Sequence, residues 1–255
     1  MHCSDQLNRD LHFPKPPSTI VSLVPSITQL LVALGLEKNI LGITKFCVEP
    51  DFLRKEKTVV GGTKSVHFDK IAALSPDIIV ANKEENTKEM VTQLSEIAPV
   101  WVSDVSNYHS HMELIRKLSK LFNIQSRGTS LINTITKERE SFQRFMKDKP
   151  WRRIYYLIWK DPYMVAGKGT FIDDMLQGNH FENLCSEDRY PEISEEELSA
   201  ADLLLLSSEP FPFTAERAKE IEKELCVKTL CVNGEYFSWY GGKSTEVYQY
   251  FRKLH

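Results

Sequence analysis

The sequence predicts an α/β protein with two similar halves, each built on a parallel sheet, because one succession of features occurs twice. An apolar run at 20–24 precedes a helical pattern that stops at Gly35, and a second run at 154–159 precedes one that stops at Gly178. Between the halves, residues 126–147 form the longest uninterrupted helical pattern. Strands that alternate with helices favour parallel sheets whose two faces are covered.

The repeat extends further into each half. Leu-Ser-Pro-Asp at 74–77 precedes an apolar run, and Leu-Ser-Ala-Ala-Asp at 198–202 precedes another. We therefore predict two α/β lobes joined by one long helix, with a ligand cleft between them. The predicted domains are an N-terminal lobe at 18–125, a linking helix at 126–148 and a C-terminal lobe at 149–255. At about 1.5 Å per residue the linking helix spans roughly 33 Å.

The hydrophobic periodicity, together with the capping and breaking residues, predicts where the individual strands and helices lie. Predicted strands lie at 20–24, 40–44, 78–81, 100–102, 154–159, 202–206 and 228–232. Predicted helices begin near residues 26, 68, 86, 114, 126, 170, 195, 215 and 244. The first of these carries Ser26 and Gln29 at the spacing of a capping box, in which Ser26 is the N-cap.

Composition excludes several classes of protein. The chain has 255 residues, 42% apolar content, 26% charged content and a net charge of −3, which is ordinary for a globular protein. An acidic balance disfavours nucleic acid as a partner. No apolar run reaches the length of about 18 residues needed to insert into a membrane. We expect a monomer.

Neither the cysteines nor the first residues indicate export. The five cysteines lack CxxC spacing and fit reduced thiols, although one pair, such as Cys226 with Cys231, remains open. Residues 1–17 lack the basic start and apolar core of a secretory signal. The chain as written is therefore expected to be cytoplasmic, or periplasmic if the native start is longer.

Candidate ligand contacts follow from the rule that ligands bind beyond the carboxyl ends of parallel strands. Aromatic residues are concentrated in those loops of the second half, flanked by Pro, Gly and Ser, and rigid rings suit a flat, conjugated ligand. They include Trp159, Tyr163, Tyr190, Phe237, Trp239 and Tyr240, with Glu235 beside them. Some of these rings are expected to close the core of the lobe instead.

Metal sites and catalysis receive little support from the sequence. The histidines show no HExxH pattern, and His67 is the one histidine predicted at a cleft position, as a candidate metal or ligand contact. Cys47 is a second candidate. No G-x-S-x-G motif occurs, so we predict that the chain is not an enzyme.

Several motifs together resemble the helical-backbone periplasmic binding proteins of ABC importers, from about residue 20 to residue 251. They are VSLVPSITQL at 21–30, Gly35, GIT at 42–44, Gly61-Gly62 and SPDIIV at 75–80. The closest type is the cobalamin binders, with iron-siderophore and haem binders as relatives. The resemblance implies two α/β lobes joined by one long helix.

The resemblance also implies roles for particular residues. Aromatic ligand contacts would fall at Phe46, Tyr163, Tyr190 and the segment 235–240, while Thr63 and Asn82 stand where cobalamin binders carry tryptophan. Permease docking would use one acidic residue near a helix in each lobe, Asp69 and Glu196. As carboxylates at helix starts, both also suit the helix dipole.

These observations lead to one main hypothesis and to alternatives. We predict a solute-binding protein of an ABC-type uptake system that binds a bulky planar or chelate ligand, a corrinoid, iron-siderophore or haem, with no covalent cofactor and with a permease as partner. The alternatives are a metal-ion binder of the same fold and an intracellular relative without a transport role. An enzyme related to nitrogenases or chelatases would need cluster-binding cysteines in both halves, which are absent.

Overall fold

A computed structural model describes residues 2–255 and divides the chain into two units. The N-terminal unit comprises Met1–Val105, His109–Thr136 and Tyr240–Thr245. The C-terminal unit comprises Ser106–Tyr108, Lys137–Trp239 and Glu246–His255.

The N-terminal unit is built on a five-stranded parallel sheet with the strand order β5-β4-β3-β6-β7. These strands are β3 (Ile20–Ser22), β4 (Ile40–Ile43), β5 (Thr58–Val59), β6 (Ile78–Asn82) and β7 (Val100–Ser103), preceded by β1 (His2–Ser4) and β2 (Asp10–His12). The helices are α1 (Pro25–Ala33), α2 (Leu53–Glu56), α3 (Phe68–Leu74), α4 (Lys88–Leu94) and α5 (Tyr108–Leu121). β3 and β6 are buried along their whole length, as expected for central strands covered on both faces.

The first residues form an antiparallel hairpin, β1–β2, that lies against the edge strand β7. The fully buried Asp5 carboxylate accepts hydrogen bonds from the backbone of Leu7, Arg9 and Val102 and from the Arg9 guanidinium. Gln6 N donates to the Val102 carbonyl at 3.2 Å. The hairpin thus pairs backbone groups that an open edge strand would leave exposed. The predicted N-terminal lobe, beginning at residue 18, left this segment out.

The C-terminal unit repeats the arrangement. Its sheet has the order β10-β8-β11-β12, in parallel pairs, with the short β9 antiparallel to β8. The strands are β8 (Arg152–Trp159), β9 (Met164–Val165), β10 (Phe181–Asn183), β11 (Leu203–Ser207) and β12 (Thr229–Val232). The helices are α7 (Phe171–Gly178), α8 (Glu195–Leu198), α9 (Ala215–Leu225), α10 (Glu235–Ser238) and α11 (Val247–Arg252), with a 3₁₀ turn at Gly242–Thr245.

One 22-residue helix, α6 (Gln125–Met146), runs from the N-terminal unit into the C-terminal unit. The predicted fold class, two parallel-sheet lobes linked by a long helix, is confirmed. The short segment Tyr240–Thr245 belongs to the N-terminal unit although it follows the last strand of the C-terminal unit. The predicted domain ranges did not include this return of the chain.

One local prediction is wrong. α1 begins at Pro25 with Val24 as its N-cap, and no side chain caps it. Ser26 therefore lies inside the first turn and forms no capping box with Gln29. Proline is favoured at the first helical position because its missing N–H would have no intrahelical partner there.

Candidate functional site

The loop after β4 exposes an apolar surface at the carboxyl end of the N-terminal sheet. Phe46, Val48 and Phe52 are 49%, 43% and 36% exposed, which is unusual for large apolar side chains so close together. The Lys45 ammonium lies 5.0 Å from the centre of the Phe46 ring. An exposed ring with a cation beside it can stack on a flat ligand and pair with an anionic group of that ligand.

A turn that contains Gly61 and Gly62 lies next to the Phe46 ring. Gly61 has φ +127°, and an added Cβ there would lie 2.6 Å from the Ser65 carbonyl oxygen. A Cβ at Gly62 would lie 3.2 Å from the Phe46 ring and 3.6 Å from Lys45 Cε. Gly61 thus lets two backbone segments of the turn approach closely, and Gly62 lets the backbone approach the Phe46 ring.

A buried hydrogen-bond network surrounds Asn82 at the end of β6. Its amide donates to the Ser103 hydroxyl at 2.9 Å and to the Tyr240 hydroxyl at 2.8 Å. Its side-chain oxygen accepts from the backbone N–H groups of Glu84 and Glu85. Asn82 is 3% exposed, so both ends of its amide are engaged in shaping the loop after β6.

The neighbouring loops are tied together through polar contacts. Asn86 donates to the Thr63 carbonyl at 2.7 Å, and the Lys64 ammonium donates to the Glu84 carbonyl. Glu85 as a whole residue is exposed, but surrounding protein atoms desolvate its carboxyl group and raise the pKa of that group. The Lys64 ammonium and the Thr63 hydroxyl oppose the shift. Thr63 thus stands between the glycine turn and the Asn82 network.

The segment Tyr240–Thr245 packs against α1 in this unit. A Cβ at Gly241 would overlap the Ser26 carbonyl oxygen and lie 2.9 Å from Gln29 Cβ. Lys243 forms a 2.7 Å ion pair with Glu49. Burial raises the pKa of the Tyr240 hydroxyl, while hydrogen bonds to Ser26 and Ser103 oppose that shift, so the group stays neutral.

At the carboxyl end of the C-terminal sheet, the exposed aromatic residue is Trp159, the last residue of β8. It is 40% exposed, and its ring meets that of Phe211 edge to face at 5.5 Å. Phe211 packs on Phe213 at 4.7 Å, and the Arg217 guanidinium lies 5.1 Å from the Phe211 ring. Trp159 therefore rests on a packed aromatic group with part of its indole accessible.

Other predicted contacts of this unit are less accessible. Phe237 is fully buried between Tyr156 and Phe251, at ring distances of 5.1 and 4.8 Å. Tyr163 is 8% exposed, with the Lys160 ammonium 5.4 Å from its ring. These two rings contribute to the core of the unit.

The remaining predicted residues lie at or near the surface. Tyr190, Glu235 and Trp239 are partly exposed. Asp69, in the first turn of α3, and Glu196, in the first turn of α8, are exposed. The roles of all these residues in ligand binding or docking stay predictions.

The sequence did not single out Val48 and Phe52, the two exposed apolar residues near Phe46, because single apolar residues in a polar loop give no periodic signal.

Neither metal candidate lies in a metal-binding arrangement. Within residues 2–255, no three His, Cys, Asp or Glu side chains are grouped so that they could hold a metal ion. His67 is exposed before α3. Cys47 is buried against the Thr28 and Thr44 hydroxyls, and burial raises the pKa of its thiol. Among the same residues all five cysteines are free.

A small pocket of about 50 Å³ in the C-terminal unit, lined in part by Tyr155, Cys185 and Glu197, is too small for a corrinoid or haem. In the described part of the chain, every helix is either too short or too polar to cross a membrane.

The chain is similar to several binding proteins. An uncharacterized ABC transporter substrate-binding lipoprotein of Bacillus subtilis is 25% identical over 192 residues, 72% of this chain and 60% of that protein. A vitamin B12-binding protein of Salmonella choleraesuis is 23% identical over 71% of this chain and 68% of that protein. The chain thus matches less than two thirds of the length of the Bacillus relative.

A solved structure shares the fold. A periplasmic heme-binding protein from Pseudomonas aeruginosa superposes with a TM-score of 0.80 at 18% identity, covering 93% of this chain and 92% of that one. The prediction that the chain is not an enzyme is confirmed, since the family model that it matches describes a binding protein. That match, to the family described as periplasmic binding protein, extends over residues 20–225, and the chain therefore belongs to the periplasmic binding protein family.

Proposed function

We propose that the chain is the substrate-binding protein of an ABC-type uptake system and binds a bulky planar or chelated ligand, a corrinoid, haem or iron-siderophore complex. The observation that carries this proposal is an accessible aromatic ring at the carboxyl end of a sheet in each unit, Phe46 in one and Trp159 in the other. The names of the Salmonella and Pseudomonas proteins, which specify vitamin B12 and heme, support this ligand class.

The surroundings of Phe46 suit such a ligand. Gly62 lies against one side of its ring, and about half of the Phe46 side chain is exposed and available for stacking. Lys45 supplies a positive charge for carboxylate groups at the rim of a ligand. Several stacked rings could together give micromolar affinity, about −8 kcal/mol.

Uptake also requires a permease partner. Asp69 and Glu196 support this part of the proposal because both are exposed carboxylates in the first turn of a short helix, one in each unit. Exposed carboxylates can pair with arginine or lysine side chains of a partner. An uptake role requires the chain to meet its ligand outside the cytoplasmic membrane.

Ligand titration tests the proposal. Purified protein is titrated with cyanocobalamin, cobinamide, haem and a ferric siderophore while intrinsic tryptophan fluorescence and heat are recorded. Trp159→Ala and Phe46→Ala are each expected to weaken binding of the preferred ligand about tenfold or more, because each removes a stacking surface.

A matched control exists at the other end of the same strand. Trp151 precedes β8 and is 57% exposed, whereas Trp159 ends it. Trp151→Ala should leave ligand affinity unchanged. If none of the four ligands binds below about 10 μM, or if both tryptophan variants weaken binding equally, the proposed ligand class is wrong.

A further inference from the structure

A second surface of the C-terminal unit, at the amino end of β8, combines aromatic rings with an excess of positive charge. Residues 144–153 hold five Lys or Arg and a single acid, Asp148, in a chain whose net charge is −3. Trp151 is 57% exposed and Phe145 36%. This end of the strand is remote from Trp159, so ligand binding does not account for its composition.

The residues of this surface are joined by direct contacts. The Lys149 ammonium lies 4.8 Å from the Phe145 ring, and the Lys149 carbonyl oxygen lies 2.9 Å from His180 Nδ1. The His180 and Trp151 rings stack in parallel at 4.6 Å with 7° between their planes. Arg152 N donates to the His180 carbonyl at 3.0 Å. These five residues form what we term the basic–aromatic surface.

The positive charge of this surface is only partly compensated within the unit. The Lys149 ammonium donates to the main-chain oxygen of His255 at 3.2 Å, and Asp202 lies at the same end of β8, where it accepts from Arg153 N at 3.1 Å. Among residues 2–255, neither Lys149 nor Arg152 lies within 4.0 Å of an Asp or Glu carboxylate, and the same holds for the flanking, exposed Arg144 and Lys147. The positive charges of this surface also affect the imidazole of His255. Burial first, and then the charges of Arg152 and Lys149, lower the pKa of His255 to about 4.

We propose that the basic–aromatic surface binds the anionic headgroup layer of a lipid membrane. Tryptophan favours the boundary between hydrocarbon and water because its ring is apolar and its N–H is polar. Lysine and arginine beside it are attracted to anionic lipids. Charge complementarity therefore selects an anionic bilayer, with Trp151 inserted among the headgroups and Phe145 beside it.

The alternative occupant is a nucleic acid, which also carries phosphates. Single-stranded nucleic acid is bound by a groove of cations with several stacking rings along it. Here one face of the Trp151 indole is already covered by His180. The membrane thus fits the surface better.

Vesicle binding tests the proposal without any transported ligand. The full chain is centrifuged with vesicles of phosphatidylcholine alone or with about 30% phosphatidylglycerol, at about 50 and about 500 mM NaCl. Binding is expected only to the anionic vesicles and only at low salt. A blue shift of tryptophan emission, absent from Trp151→Ala and retained in Trp159→Ala, would report insertion of the Trp151 ring.

Charge variants supply the matched control. Lys147→Gln with Arg152→Gln should weaken partitioning about 25-fold, since each basic residue near an anionic surface contributes about fivefold. Lys219→Gln with Lys223→Gln, on exposed positions of α9, changes the net charge equally and should leave partitioning unchanged.

Several results would overturn the proposal. They are equal binding to neutral and anionic vesicles, no binding at low salt, or displacement from vesicles by a short single-stranded RNA. An equal loss of partitioning in the Lys147/Arg152 and the Lys219/Lys223 double variants would also overturn it. Because no transported ligand enters the assay, its failure leaves the proposed uptake function untouched.

Discussion

The Asn82 amide donates a 2.8 Å hydrogen bond to the Tyr240 hydroxyl, joining the end of β6 to a segment 158 residues later in the chain. Both residues are more than nine-tenths buried. Both were predicted as ligand contacts, and in this structure their polar groups meet each other. A ligand that reached either group would have to compete with this bond.

Removing the Tyr240 hydroxyl should destabilise the N-terminal unit. In Tyr240→Phe the buried Asn82 amide loses an acceptor at a site that water does not reach, so we expect a loss of about 1–2 kcal/mol in the free energy of unfolding. Urea denaturation measures it. A double-mutant cycle with Asn82→Ala should show coupling above about 0.5 kcal/mol, and additive losses would mean that the bond contributes little.

Gly241→Ala should be destabilising because of the close approach of this segment to α1. The added methyl group would overlap the Ser26 carbonyl oxygen and crowd Gln29, so the backbone must shift, at a cost of about 1–3 kcal/mol. Gly178→Ala is the control, since no atom lies within 4 Å of a Cβ there. Equal unfolding midpoints for the two variants would show that Tyr240–Thr245 does not pack as described.

The N-terminal hairpin should contribute to stability through Asp5. Asp5→Ala removes a fully buried carboxylate that accepts bonds from three backbone N–H groups and the Arg9 guanidinium. Breaking such a site should cost about 3–5 kcal/mol in urea denaturation. Asp10→Ala, an exposed carboxylate on β2, should cost less than about 0.5 kcal/mol. A small effect of Asp5→Ala would show that the hairpin is dispensable.

The sequence predicts the periodic parts of this fold well. The strand predicted at 40–44 is observed at Ile40–Ile43, and the helix predicted at 126–147 is observed at Gln125–Met146, because long apolar patterns report burial directly. The hairpin at 2–12 was missed because its fold depends on one buried carboxylate rather than on apolar residues. The return of Tyr240–Thr245 was missed because its contacts are distant in sequence and depend on Gly241 lacking a side chain.

The candidate site was only partly predictable for a related reason. Aromatic residues in loops mark the carboxyl ends of the strands, but the sequence does not distinguish an exposed ring such as Trp159 from a fully buried one such as Phe237. Burial depends on packing with Tyr156 and Phe251, which lie on other elements. Composition thus located the loops, and tertiary packing determines which rings remain accessible.

Stability should also depend on pH through His111, a fully buried residue of α5. Burial lowers the pKa of His111 to about 3, while a hydrogen bond to the Tyr240 backbone opposes the shift. The unfolded chain binds a proton at this side chain below about pH 6.5, and the folded chain does so only below about pH 3. Stability contributed by the neutral imidazole is therefore lost as pH falls from about 6.5 towards 3.

A comparison of two histidines on α5 isolates this effect. Between pH 7.5 and about 4.5, wild type should lose about 3 kcal/mol more unfolding free energy than His111→Gln, which cannot titrate. His109→Gln, two residues earlier and exposed, is the control for removing a histidine from the surface of the same helix. Urea denaturation at several pH values measures all three proteins. If His111→Gln follows wild type over this range, the imidazole must already be protonated in the folded state, and its burial beside Tyr240 would be wrong.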